Sequence, residues 1–141
     1  MTVGFNHLGQ LGQLGNQMFQ YAITKSVASK LNVPFKIPNH QNVFDDGIGN
    51  RYTILLFDIF KLESLTDFGF VDTQKYVQEG HFHYDEDIFN ISPQEDFSLW
   101  GFFQSEKYFK DIENDIRDDF KFKDELVSSC QSIIELSLIH I

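Results

Sequence analysis

The chain has 141 residues, 42% hydrophobic and 16% aromatic with sixteen phenylalanines, which excludes a disordered composition and supports one domain with a substantial core. Its 21 acidic and 11 basic residues give a formal net charge of -10, which argues against duplex nucleic acid as a partner, although local backbone N–H groups still suit a nucleotide-sugar. Cys130 is the single cysteine, so no internal disulfide forms, as expected in a reducing compartment, and Met1 to Phe5 reads as neither a signal peptide nor a spanning segment.

Residues 2 to 6 read as a short strand, and His7 to Gly15 as a loop with glycines at 9, 12 and 15. A helix is predicted from Asn16 or Gln17 to about Leu31. Met18, Tyr21, Ala22, Ala28 and Leu31 supply its apolar stripe, which Phe19 and Val27 widen. Gln17, Gln20, Lys25, Ser29 and Lys30 are its polar positions, and Lys30 suits the negative end of the helix dipole. Val33 to Ile37 reads as a second strand. Strand, glycine loop, helix and strand open a β-α-β unit, so the predicted fold class is α/β.

Residues 38 to 52 read as a polar loop, with turn signals at Pro38-Asn39-His40 and from Asp45 to Asn50. Leu55 to Phe60 suits a short buried strand or a packed turn, and Lys61 to Thr66 a helical turn. Between Phe68 and Ile91 short aromatic segments alternate with loops, and the pattern His81-Phe82-His83-Tyr84-Asp85 predicts a strand. Phe97 to Phe103 reads as a buried strand. Ser105 is placed to cap a helix reaching about Phe120 along Phe109, Ile112, Ile116 and Phe120. Asp124 is placed to cap a last helix through Ile134, and the apolar run from Leu136 to Ile141 suits the start of another strand.

The glycine loop is the segment that suggests chemistry. Gly9, Gly12 and Gly15 do not match the dinucleotide fingerprint, and no Lys-Ser/Thr pair follows, which excludes a P-loop. What remains is a flexible backbone leading into a helix N-terminus, whose unbonded N–H groups suit a phosphate or a sugar hydroxyl. The candidate binding residues are Gly12, Gly15, Asn16 and Gln17, the last two for amides that both donate and accept. The same glycines also suit plain turns, and Asn16 a simple cap. Met18 and Phe19 read as core. Arg51 and Arg117, the two arginines, sit in no obvious anion loop.

The run Gly12-Gln13-Leu14-Gly15-Asn16-Gln17-Met18-Phe19-Gln20-Tyr21-Ala22 resembles the opening motif of the family 11 glycosyltransferases, the alpha-1,2-fucosyltransferases. Trp100-Gly101-Phe102-Phe103-Gln104-Ser105-Glu106-Lys107-Tyr108-Phe109 is similar to that family's strand-to-helix junction, and Ile116-Arg117-Asp118-Asp119-Phe120 to the helix after it. The resemblance implies transfer of L-fucose from GDP-fucose to a galactoside 2-hydroxyl with inversion, without a metal or other cofactor. It also implies a two-lobed, GT-B-like enzyme of which residues 1–141 form an incomplete Rossmann-like N-terminal lobe. The implied partners are a nucleotide-sugar donor and a glycan acceptor, and the implied location is the cytoplasm, at the membrane periphery. Asn16, Gln17 and the glycines would help line the donor or acceptor cleft, while Gln104 and Ser105 match positions of structural type. The family's His-x-Arg-Arg-x-Asp-Tyr motif is incomplete, with His140 and Ile141 matching its first two places, so a fragment lacking the donor-binding lobe is expected.

An inverting transferase needs a general base. Asp45, Asp46, Asp85, Glu86 and Asp87 lie in or beside predicted loops, and none has a context that marks it. His81 and His83 would share a strand face, but a zinc site needs a third ligand at a defined spacing. Two alternatives stand beside the transferase fragment. One is a non-catalytic carbohydrate-binding domain using aromatic loops around Tyr76, Phe82, Tyr84 and Trp100; the other is an inactive truncated product.

Overall fold

The structure, a computed structural model, describes residues 1–39, 43–45, 47–92 and 94–139. Four short parallel strands make the central sheet: β1 (Val3–Gly4), β2 (Phe35–Lys36), β5 (Tyr76–Gln78) and β6 (Phe97–Trp100), in the order β2-β1-β6-β5. Val3 lies opposite both Phe35 and Phe97, and Ser98 opposite Tyr76. Helices flank this sheet, so the architecture is a small α/β domain of generic Rossmann-like topology.

Helix α1 (Leu14–Leu31) begins two residues before the earliest predicted start. Gly12 takes a positive φ of 107° and Gln13 is extended, which turns the chain sharply into the first helical turn at Leu14. The helix stops at Asn32, whose left-handed φ of 55° lets its N–H reach back to Ala28 and Ser29. Lys30 sits in the last turn as expected, 3.4 Å from Asp111 and over the Phe89 ring.

The apolar stripe predicted for α1 understates its burial. Gln17, Gln20, Thr24 and Ser26 are buried together with Tyr21, Ile23 and Val27. The helix is therefore enclosed on several sides, and most of its buried polar groups meet backbone partners. Thr24 Oγ1 donates to the Gln20 carbonyl at 2.7 Å, and Ser26 Oγ to the Tyr108 carbonyl at 2.6 Å. The core around it contains Val3, Phe5, Leu8, Ile37, Phe97, Leu99 and Phe103. Burial contributes about 1.5–3 kcal/mol per large apolar side chain.

The predicted loop at 38–52 contains a hairpin instead. Strands β3 (Val43–Asp45) and β4 (Arg51–Thr53) pair antiparallel, Asp45 opposite Arg51. Asp45 Oδ1 accepts from the Gly47 N–H at 2.8 Å inside the turn. Three-residue strands rich in polar groups carry too little alternation to be read from sequence. His40 and Asp46 lie outside the described residues. Residues 55–60 take the packed-turn alternative as a single helical turn, α2 (Leu56–Ile59).

The strand expected at 81–85 is also corrected. His81, Phe82 and His83 form a bend, with the two imidazoles stacked at 3.5 Å. Asp85 then caps a 3-10 helix at Glu86–Phe89 by accepting from the Asp87 N–H. Ser105 caps as predicted, but the helix behind it splits into a 3-10 segment (Glu106–Ile112) and α3 (Glu113–Asp119). Phe109 is non-helical there, next to the Tyr108 carbonyl that Ser26 occupies. Helix α4 (Asp124–Ile139) runs through Leu136 to Ile139, where the start of a strand was expected, and Ile133, Ile134 and Leu136 stay exposed on it. His140 and Ile141 lie outside the described residues. Among the described residues no helix is long and apolar enough to cross a membrane.

One buried ionic cluster ties α3 to α1. Asp119 accepts from Tyr21 Oη at 2.8 Å, Lys25 Nζ at 2.5 Å and Ser64 Oγ at 2.6 Å. Burial pushes the Asp119 carboxyl up, but hydrogen bonds from Lys25, Ser64 and Tyr21 and the charge of Lys25 outweigh it and hold it below the ordinary carboxylate range. Burial first, and then the Asp119 carboxylate, drive the Tyr21 phenol far above its usual value.

Candidate functional site

The glycine loop leaves the C-terminal end of β1 through two successive turns. Leu8 N–H donates to the Phe5 carbonyl and Gln10 N–H to the His7 carbonyl, both at 3.0 Å. Asn6 anchors the start of the loop: its side chain exchanges two hydrogen bonds with the backbone of Val71, at 2.8 and 2.9 Å. Gln20 anchors the end. Its Nε2 donates to the carbonyls of Leu11 and Gly101, each at 3.2 Å, while its buried Oε1 has no partner among the described residues.

The loop delivers an uncapped helix end. The first bond inside α1 runs from the Gln17 N–H to the Gln13 carbonyl at 2.9 Å, so the N–H groups of Leu14, Gly15 and Asn16 precede the helical ladder. No side chain caps them and no acidic residue lies in the first turn. The first turn itself therefore supplies no counter-charge to the positive end of the helix dipole.

A cavity of about 560 Å³ opens beside this turn. Gly9, Gly12, Gln13 and Gln17 form one wall, and residues 49–53 with Leu55 form the other. Its size lies within the range of about 300–1,000 Å³ usual for small-ligand sites. The lining is mostly polar. Among the described residues it includes Arg51 and no carboxylate, in a chain whose net charge is -10. Arg51 is exposed and its Nε lies 3.8 Å from Asp45, an ion pair too open to hold it firmly.

The four candidate residues take different positions around this cavity. Gly12 lines it, and a Cβ there would run into the Asn16 side chain. Gly15 is exposed in the first helical turn, where an added Cβ meets nothing within 4 Å. Asn16 Oδ1 accepts from Gln104 Nε2 at 2.6 Å, which joins the two motif segments across 88 residues of chain. Gln17 lines the cavity, but both ends of its amide are engaged. Nε2 donates to the Thr53 carbonyl at 3.0 Å, and Oε1 accepts from the Leu55 N–H at 2.7 Å. Gln17 thus positions the opposite wall. Met18 packs partly buried against the core, and Phe19 lies 6.1 Å from the Phe109 ring.

Sequence reasoning did not place Arg51 at this site. The available signal was the Asp46-Gly47 dipeptide, a strong hairpin marker that would have carried Arg51 to Thr53 back toward the loop. Of the candidate carboxylates, Asp45 is turned to the Gly47 N–H beside Arg51, Asp85 and Asp87 serve the 3-10 helix and its end, and Asp46 lies outside the described residues. His81 pairs with Asp85 at 3.6 Å, and no group of three or more His, Cys, Asp or Glu among the described residues is arranged to hold a metal.

No family model matches this chain, and no curated protein or solved structure matches it significantly.

Proposed function

We propose that this chain is the Rossmann-like N-terminal lobe of a GT-B-like alpha-1,2-fucosyltransferase. The parent enzyme transfers L-fucose from GDP-fucose to a galactoside 2-hydroxyl with inversion at the cytoplasmic periphery of a membrane. GDP-fucose is a substrate here, and no further cofactor is needed. One observation carries the reading: the glycine loop and uncapped α1 N-terminus border a polar cavity of ligand size that gathers an arginine and no described carboxylate. Such a lining favours a diphosphate or a hydroxyl-rich sugar even against an acidic global field.

In this proposal the labour is divided among the residues of the two walls. The first-turn N–H groups meet the anionic or hydroxyl groups of the ligand. Arg51, loosely paired with Asp45, swings to add charge-assisted hydrogen bonds. Gln17 fixes the distance between the two walls, and Asn16 with Gln104 fixes the start of α1 against the segment after β6.

Amide chemical shifts of the isotope-labelled chain test this reading. GDP-fucose at millimolar concentration is expected to move the signals of residues 12–17 and 49–55, and Arg51→Ala is expected to weaken that response. Unmoved signals at both walls would refute a donor-contacting role for this cavity.

A further inference from the structure

A second crevice opens where the parallel strands end. β1 leads into His7, β5 ends at Gln78 and β6 ends at Trp100; together with Tyr76 these residues line an open cavity of about 400 Å³. The place is set by topology. From β1 the chain moves outward to β2, then returns through β5 to lay β6 on the other side of β1. That reversal makes the β1–β6 boundary a switch point, and open α/β sheets take ligands outside the carboxyl ends of strands at such points.

His7 and Trp100 are held in place there. The His7 ring stands edge-on to Trp100 at 4.4 Å and lies 5.6 Å from Tyr76. His7 Nδ1 is 3.3 Å from Gln10 Oε1. Behind Trp100 the backbone is in an unfavoured conformation, with φ of 147° at Gly101 and 53° at Phe103. The Glu79 carboxylate secures this bend by accepting from the N–H of Phe102 at 2.8 Å and of Phe103 at 3.2 Å. The Glu79 N–H in turn donates to the Trp100 carbonyl at 2.9 Å. Phe82 and Tyr84, grouped with these aromatics on sequence grounds, belong elsewhere: Phe82 faces Phe102, and Tyr84 packs 4.9 Å from Tyr108.

The lining chemistry selects the ligand. Among the described residues it holds no Lys or Arg, which disfavours phosphates in a chain this acidic. It offers aromatic surface next to one amide and one imidazole. A pyranose ring has the complementary pattern, a face of C–H groups bordered by hydroxyls. We propose that the His7–Tyr76–Gln78–Trp100 crevice binds a neutral hexopyranoside. Trp100 and Tyr76 cover its C–H face, and Gln78 and His7 meet its hydroxyls. The crevice and its pyranose chemistry stand apart from the transferase reading, since a non-catalytic binding module would use them too; only the choice of a galactoside as probe rests on that reading.

Trp100 is the only tryptophan in the chain, so its emission reports on this crevice directly. The experiment titrates the chain, without nucleotide, with methyl β-galactopyranoside, sorbitol and guanosine. A saturable change in emission with the galactoside alone is expected. Tyr76→Ala removes an exposed ring on an edge strand and is expected to weaken binding about tenfold, the upper end for an aromatic contact. Gln78→Ala, also on the exposed side of that strand, is expected to weaken it as well, with the far-ultraviolet spectrum of both variants unchanged. No saturable response at tens of millimolar galactoside would overturn the proposal. An equal response to sorbitol or guanosine, or full binding by folded Tyr76→Ala, would do the same.

Discussion

Replacing Gln17 by leucine isolates what holds the two walls of the loop cavity together. The substitution roughly keeps side-chain volume but deletes the donor to the Thr53 carbonyl and the acceptor for the Leu55 N–H. Thr53 is exposed, so water replaces much of the first bond, whereas Leu55 is half-buried and its N–H is less readily hydrated. Leaving a buried polar group unsatisfied costs about 1–3 kcal/mol, and a solvent-compensated bond about 0.5–1.5 kcal/mol. The expected loss is therefore about 2–4 kcal/mol. For a domain of this size that lowers Tm by roughly 3–5 °C per kcal/mol. Urea unfolding followed by circular dichroism measures the loss, and hydrogen exchange locates it. Protection of the Leu55 amide should fall more than that of Val27, deep in α1. Gln17→Glu separates the two bonds, since it keeps the acceptor for Leu55 but aims a carboxylate at the Thr53 carbonyl. A Gln17→Leu variant within about 0.5 kcal/mol of the parent, the ordinary range for surface changes, would show that the amide does not clamp these walls.

Gly12 in the loop and Gly15 in the first turn of α1 should respond in opposite ways to alanine. Gly12→Ala combines a φ of 107° with a collision against Asn16 and should cost about 1–3 kcal/mol, while Gly15→Ala enters open space in a helical position and should stabilise by about 0.5–1 kcal/mol; thermal melts of both variants check the pair. Asp119→Asn should cost about 3 kcal/mol, because Lys25 is then left largely buried without its counter-charge. The folded-state pKa of Asp119 is lowered, so its contribution is fully present above the ordinary carboxylate range and is lost as pH falls toward the folded value. Stability measured from neutral to acid pH should show that part of the decline in the parent and not in Asp119→Asn.

The α/β class was legible because α1 is long and because a loop with glycines at 9 and 12 separates it from an apolar strand, both local properties. The cap at Ser105 and the cation at Lys30 were legible for the same reason: each acts within one helical turn. Tertiary structure alone decided which polar residues of α1 are buried. Gln17 and Gln20 look like solvated positions until segments 36 and 81 residues away supply their carbonyl partners. It also decided the composition of both cavities. Arg51 reaches the loop cavity on a hairpin of three-residue strands, and Trp100 reaches His7 through the parallel pairing of β1 with β6. Sequence patterns record the periodicity of a single element, whereas a site is assembled where the ends of several elements converge, and that convergence is fixed by the packing of the sheet.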